Sequence, residues 1–250
     1  MTCDGYLWQW LDLAFSETET ETETETVDPS RIAALLAPFL GDATLGEAQL
    51  AGLRQYLELL LRWNARMNLT AVRQPEQIVT RHFGESLFAA RHLYPPRSLE
   101  PDASRLIDIG SGAGFPGLPI AIWAPAVQVT LVESQHRKAT FLREVIRGLQ
   151  LPNAEVLAER AEDFGRQITN YQSPITNVTV TLRAVERFEQ ILPTAVSVLE
   201  NFSGAGRRLA LLIGSAQVRR AHELAPAITW SDPLPVPQSS HRVLLAGDLR

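Results

Sequence analysis

"LIDIGSGAGFPGLPIAI", residues 106–122, decides how the rest of the chain is read. An apolar run with strand character ends at Asp108, and Gly110, Gly112, Gly114 and Gly117 follow within eight residues. Glycines without a Cβ let the backbone turn sharply and let a ligand approach it closely. Pro116 falls where a helix should open, a place where its missing N–H is harmless. The start of that helix offers free N–H groups and the positive end of its dipole. Strand, glycine turn and helix in this order predict the ligand loop of an open α/β sheet.

The rhythm on either side agrees. Strands are expected at 104–109, 127–133, 153–158, 177–182 and 207–213, with helices between them, notably 135–149, where Phe141, Val145 and Leu149 are spaced by four. "AITW" and "HRVLLA", separated by the Pro-rich "SDPLPVPQ", can pair as an edge hairpin. The pattern predicts an α/β fold: a seven-stranded, mostly parallel sheet of Rossmann-like type, its last strand antiparallel, with helices on both faces. Ahead of it, residues 31–100 read as helical. Leu50, Leu53, Leu57 and Leu60 form a stripe at helical spacing, and Pro75 opens a second helix through Ile78, Phe83 and Leu87. "YPPRSLEP", 94–101, reads as a linker. The expected division is an acidic arm over 1–30, a helical N-terminal cap over 31–100 and a sheet domain over 101–250.

Charge is unevenly spread. The formal net charge is −5 over 250 residues, yet residues 1–30 hold eight acids and no Lys or Arg, so the remainder carries about +3. Its "ETETETETET" repeat puts like charges on one face without apolar payload, so a disordered acidic arm is expected. All basic residues but Lys138 are arginine, whose planar fork suits phosphate and guanine edges. A single cysteine, Cys3, gives no disulfide and no cysteine metal site. No leader or membrane-spanning stretch is read, and the cytoplasm is the expected location.

Two ligands compete for the loop. Gly112, Gly114 and Gly117 satisfy G-x-G-x-x-G, and Glu133 ends the next strand 19 residues after Gly114, where a ribose-binding carboxylate sits. A nicotinamide dinucleotide and S-adenosylmethionine both fit that pattern. Asp108 tilts the balance, because a carboxylate at the loop attracts a sulfonium or ammonium and repels a pyrophosphate. Asp108 has a second possible role, capping the glycine turn.

The stretch "DIGSGAGFPGLPIAI", followed by "VTLVES" and "FLREV", resembles the glucose-inhibited division protein B family, bacterial methyltransferases acting on a guanine N7 of small-subunit ribosomal RNA. "YLELLLRWNARMNLTA", 56–71, "RHFGESL", 81–87, "ERAED", 159–163, and "LRAV", 182–185, are similar to its other motifs, in order. The resemblance covers about 45–215. It implies a class I S-adenosylmethionine-dependent methyltransferase that acts on 16S ribosomal RNA or the small subunit, with no metal and no membrane, as a monomer. Beside Asp108, Gly112 and Gly114 of the loop, it implies that Gly110 and Phe115 line the S-adenosylmethionine pocket. Glu133, Ser134 and Gln135 then hold the ribose and adenine side, and Ala161 and Glu162 flank the adenine. Arg183 sits at the cofactor and substrate face as the positioning residue, and Arg81 and His82 are candidates for RNA contact.

Three positions depart from the family pattern. Val178 stands where an acid is usual, Ile213–Gly214 replaces Lys-Gly, and Glu85 replaces Asp in Asp-Ser-Leu. Neither a Ser–His–Asp nor a Cys–His arrangement is found, as suits an N7 lone pair that has no proton to remove. An NAD(P)-dependent oxidoreductase and a cofactor-bound RNA-binding assembly factor without turnover are the alternatives.

Overall fold

The computed structural model describes residues 27–96, 104–167, 176–184, 187–204 and 206–250. The acidic repeat of residues 17–26, part of the linker and Val185 of "LRAV" lie outside these residues. Helix α1 (Pro29–Leu40) opens with Asp28 as its cap, the carboxylate accepting from Arg31 N at 3.0 Å. Residues 28–30, placed in the acidic arm by composition, are thus the cap and first turn of a helix, because Asp-Pro-Ser is a helix-opening sequence.

Helices α2 (Glu47–Met67), α3 (Pro75–Ile78) and α4 (Glu85–Leu93) follow, with a π-helical turn, Val79–Gly84, between the last two. Among the described residues eight strands and five helices then follow, alternating as far as β6. They are β1 (Ser104–Ile109), α5 (Gly117–Trp123), β2 (Gln128–Val132), α6 (His136–Leu149), β3 (Ala154–Leu157), α7 (Ala161–Gln167), β4 (Asn177–Arg183), α8 (Phe188–Glu200), β5 (Gly206–Gly214), α9 (Val218–Leu224), β6 (Ile228–Trp230), β7 (Leu234–Pro235) and β8 (Arg242–Leu249). The sheet order is β3-β2-β1-β4-β5-β8-β6; β1 to β5 are parallel and β8 is antiparallel to β5 and β6.

Among the described residues the sheet has eight strands rather than seven. The extra strand, β7, is two residues of the Pro-rich connection pairing with β8. Too short for a hydrophobic pattern and bearing a proline, it gives no strand signal. "AITW" and "HRVLLA" pair as the expected edge hairpin: β8 runs antiparallel to β5 on one side and to β6 and β7 on the other.

Alternation along the strands separates two layers. Leu106, Val129 and Leu131 pack into one cluster with Leu53, Tyr56, Phe83, Leu118 and Phe141, so α1, α2, α5 and α6 share a core with the sheet. Ile107, Ile109, Val180, Leu182, Leu209 and Leu211 point the other way, onto α7, α8 and α9. The helical cap packs on α5 and α6 through α2 and α4, and Phe39 and Phe88 reach the sheet at β5 and β8. Among the described residues no helix is long and apolar enough to cross a membrane.

Candidate functional site

Strand order reverses between β1 and β4, and ligands of open α/β sheets sit at the carboxyl ends of strands at such a point. The glycine loop leaves β1 on one side of that crevice and Arg183 ends β4 on the other. Gly110, Gly112 and Gly114 have φ of +69°, +58° and +93°, the left-handed region that glycine enters without strain. Gly110 N and Ser111 N donate to Val132 O at 2.8 and 3.2 Å, fastening the loop to the end of β2. Glu133, buried just beyond that strand, accepts from Gly112 N at 2.9 Å and from Gln135 N at 2.8 Å. One carboxylate thereby fixes both the loop and the start of α6.

The loop is closed from behind and open in front. The buried Tyr56 hydroxyl of α2 donates to Ala113 O, and burial raises its pKa well above the ordinary phenol value. A Cβ at Gly114 would lie 2.5 Å from Leu118 and 2.6 Å from the Tyr56 oxygen. At Gly112 the nearest atom to a Cβ would be Gly110 O, 3.8 Å away. Close packing demands glycine at 114; backbone conformation demands it at 112, where a ligand has room.

Asp108 lies beneath the loop. It is buried, with Oδ2 accepting from Gly117 N at 3.2 Å and Oδ1 accepting from the Thr181 hydroxyl at 2.9 Å. Burial pushes its pKa up to about 6, and the Thr181 and Gly117 hydrogen bonds pull against that rise. These hydrogen bonds make Asp108 a cap of the glycine turn that braces β1, β4 and the start of α5. Phe115 is engaged within the protein as well. It is buried in an aromatic cluster, stacked on Tyr56 at 5.4 Å and packed against His82 and Phe83 at 4.8 and 5.6 Å. Its ring was the largest apolar group in the motif, and it went to the core.

Arg183 anchors a polar network reaching across to the helical layer. Its Nη2 donates to Arg81 O at 2.8 Å, His82 Nδ1 at 2.9 Å and Glu85 Oε2 at 3.1 Å, and its guanidinium lies 5.7 Å from the Phe115 ring centroid. Nδ1 accepts from a guanidinium that has no acceptor to offer, so the imidazole is neutral and its Nε2–H donates to Thr70 Oγ1 at 2.7 Å. Burial, then the Arg183 charge, push the His82 pKa down to about 3. Thr70 is held in turn by Asn64, whose Oδ1 accepts from Thr70 N at 2.9 Å. Arg242 of β8 comes within 3.4 Å of the same Glu85 oxygen and donates to Leu212 O at 3.0 Å. Glu85 thus holds guanidinium groups from two strands. The π-helical turn brings Arg81 O and His82 to this point, a common use of such local irregularities.

The structure brings together Gly110, Gly112, Gly114, Glu133 and Gln135 on one side of the crevice and Arg183, Arg81 and His82 on the other. Ser134 is exposed beside Glu133. Ala161 and Glu162 open α7 and line a cleft between α7 and α8. Val178 and Ile213, the departures in β4 and β5, are buried in the core of the α7–α9 face. Sequence reasoning assigned no role to Tyr56, Asn64, Thr70, Thr181 or Arg242, and treated Glu85 only as a departure. The polar residues inside "RWNARMNLTA" were the available signal for Asn64 and Thr70.

Residues 49–223 match the family model described as rRNA small subunit methyltransferase G. A protein of that name from Chloroflexus aggregans is 37% identical over 205 residues, which span 80% of this chain and 82% of that one. One from Xylella fastidiosa strain M23 is 48% identical over 118 residues, 47% of this chain and 52% of that one. Among solved structures, Aeropyrum pernix fibrillarin with bound S-adenosyl-L-methionine superposes with a TM-score of 0.50 at 16% identity, covering 66% of this chain and 76% of that one. The last likeness concerns the fold alone.

Proposed function

The chain belongs to the rRNA small subunit methyltransferase G family, and from that membership we infer that it transfers a methyl group from S-adenosylmethionine to N7 of a guanine in 16S ribosomal RNA. The observation that carries the reading is the pairing across the switch point: a glycine loop held by Glu133 faces Arg183 at the end of β4. We assign the reaction to the cytoplasm and to the monomer, acting on RNA free or within the small subunit.

The residues present fit the cofactor. Gly110 is exposed, and the space in front of Gly112 is open. The Glu133 carboxylate accepts two N–H bonds and keeps lone pairs for ribose hydroxyls. Ser134 and Gln135 flank it, with Ala161 and Glu162 on the adenine side. S-adenosylmethionine supplies an electrophilic methyl on a sulfonium.

The chain's part is alignment. Guanine N7 carries a free lone pair, so no general base is required, and His82 is not one: both its nitrogens are engaged within the protein. Holding N7, methyl carbon and sulfur in line can supply on the order of 7–11 kcal/mol of barrier reduction. With Nη2 held by the protein, Arg183 leaves Nη1 for guanine O6 or a flanking phosphate, a division of donors between two nitrogens that lysine lacks. The Glu85 carboxylate offsets the guanidinium, so positive charge arriving on the purine meets less opposition. Phe115 and Asp108 act indirectly, the first by supporting Arg183 from below and the second by fixing the loop.

Methyl-labelled S-adenosylmethionine incubated with the protein and 16S ribosomal RNA tests the reading. Label should enter the RNA, and cofactor binding by calorimetry should favour S-adenosylmethionine over NAD. Binding of NAD alone, or label staying out of RNA under saturating cofactor, would overturn it.

A further inference from the structure

Several arginines of this chain are neutralised by neighbours. Arg31 pairs with Glu76, Arg54 with Glu58, Arg105 with Glu155, Arg208 with Asp248, and Arg220 with Glu189 and Glu223. Other arginines have no ion pair among the described residues, and one group of these lies beside the crevice. Arg62 and Arg66, one turn apart on the last part of α2, are exposed, as are Arg73 in the following turn and Arg81 in the π-helical turn. None of the four makes an ion pair among the described residues, and the contact of Arg73 is with the neutral Asn68 at 2.8 Å.

These positions converge on the site. The Arg81 carbonyl accepts from Arg183, and the charge of Arg81 is felt at the His82 ring. Gln55 of α2 donates to Gly148 O near the end of α6, while Trp63 packs on Phe141 at 5.6 Å, nearer its start. The two helices therefore run antiparallel, and the end of α2 that bears Arg62 and Arg66 lies toward the start of α6. There Arg137 is exposed and Lys138 half-buried, within five residues of Glu133, and neither has an ion-pair partner among the described residues. A row of six cations borders the crevice from the Glu133 side to the Arg183 side.

We propose that this rim, Arg62, Arg66, Arg73, Arg81, Arg137 and Lys138, is the surface that grips the RNA backbone on either side of the target guanine. The inference rests on the RNA-methyltransferase reading for its partner, and it concerns where the strand lies. Unpaired guanidinium forks on a helix and two turns suit phosphates at variable spacing and carry no sequence preference of their own. Arginine charges already spent on carboxylates elsewhere would contribute little. The rim positions the strand, and the crevice selects the base.

The test is salt dependence. Binding of the full-length protein to deproteinised 16S ribosomal RNA is measured across a salt series for wild type, for R62Q/R66Q/R73Q, and for a control, R207Q/R219Q/R220Q, with the same net charge. Each phosphate contact contributes about 0.7–0.9 to the slope of log K against log salt, so the rim variant should lose about two units of slope. The control should keep the wild-type slope, and all three should bind S-adenosylmethionine alike. A rim variant with the wild-type slope, or a control that loses as much, would overturn the proposal. Wild type that binds with a steep, rim-dependent slope yet transfers no methyl would leave the rim standing and defeat the catalytic reading. Wild type that does not bind the RNA at all would defeat both.

Discussion

Replacing Arg183 by alanine should destabilise the fold as well as stop methyl transfer. From sequence alone Arg183, at the end of a strand, is expected to matter for chemistry rather than stability. The structure adds a second consequence, because its side chain is only 10% exposed and Nη2 serves Arg81 O, His82 Nδ1 and Glu85 Oε2 together. Removing one partner of a buried ion pair costs about 3–5 kcal/mol, because the other charge is left uncompensated. Here Arg242 remains 3.4 Å from Glu85, which places the expected loss at the lower end, about 3 kcal/mol. For a chain of this length that is a fall in Tm of roughly 6–12 °C. Arg183→Lys keeps the charge but not the fork, so it should lose about 1 kcal/mol while still losing most transfer. Urea and thermal unfolding give the first quantity, and single-turnover rates on 16S ribosomal RNA give the second. An Arg183→Ala protein with wild-type Tm would refute the buried network. Wild-type transfer by both variants would remove Arg183 from the site.

Gly112→Val should abolish S-adenosylmethionine binding at a cost of about 1–3 kcal/mol in stability, since the side chain fills open space at a φ of +58°; calorimetry that still shows cofactor binding would contradict the loop's assignment. Two buried groups give opposing pH dependences. Asp108 titrates at about 6 against 3.8, so the folded chain binds the extra proton in that window and loses stability as pH rises through it. His82 titrates at about 3 against 6.5, so stability falls as pH drops from 6.5. Asp108→Asn should therefore steepen the loss of stability on acidification and His82→Gln should reverse it; identical urea-unfolding profiles between about pH 4 and pH 7 for all three proteins would contradict the burial of these groups. Removing residues 1–26 keeps the Asp28 cap of α1 and should shift Tm by less than about 2 °C; a large drop would show that the acidic repeat contributes to the folded core.

The parts of the fold that could be read from the sequence are those whose signal is local. The first five strands fall within a residue or so of their expected bounds because each is an apolar run closed by turn residues, and α6 shows because Phe141, Val145 and Leu149 share a face. Glu133 was found by its spacing from the glycines. The Arg183 network was not legible, because its partners lie about 100 residues away in sequence and a π-helical turn, invisible in a hydrophobic pattern, presents them. Phe115 and Asp108 sit in the motif, but the partners that bury them lie elsewhere in the sequence. A motif fixes which residues are near a ligand loop, whereas packing decides which of them face it. Only the docked cap shows that Tyr56 and Phe83 fill the space beside Phe115.

A crevice that aligns a guanine N7 with a methyl donor leaves N7-methylguanine in the RNA. Borohydride and aniline treatment breaks RNA selectively at N7-methylguanine. Applied to 16S ribosomal RNA after incubation with S-adenosylmethionine, it should give a single new cleavage with the wild-type protein and a much weaker one with Arg183→Lys. Methylation at another atom, at many guanines indiscriminately, or equally by the variant would contradict the account.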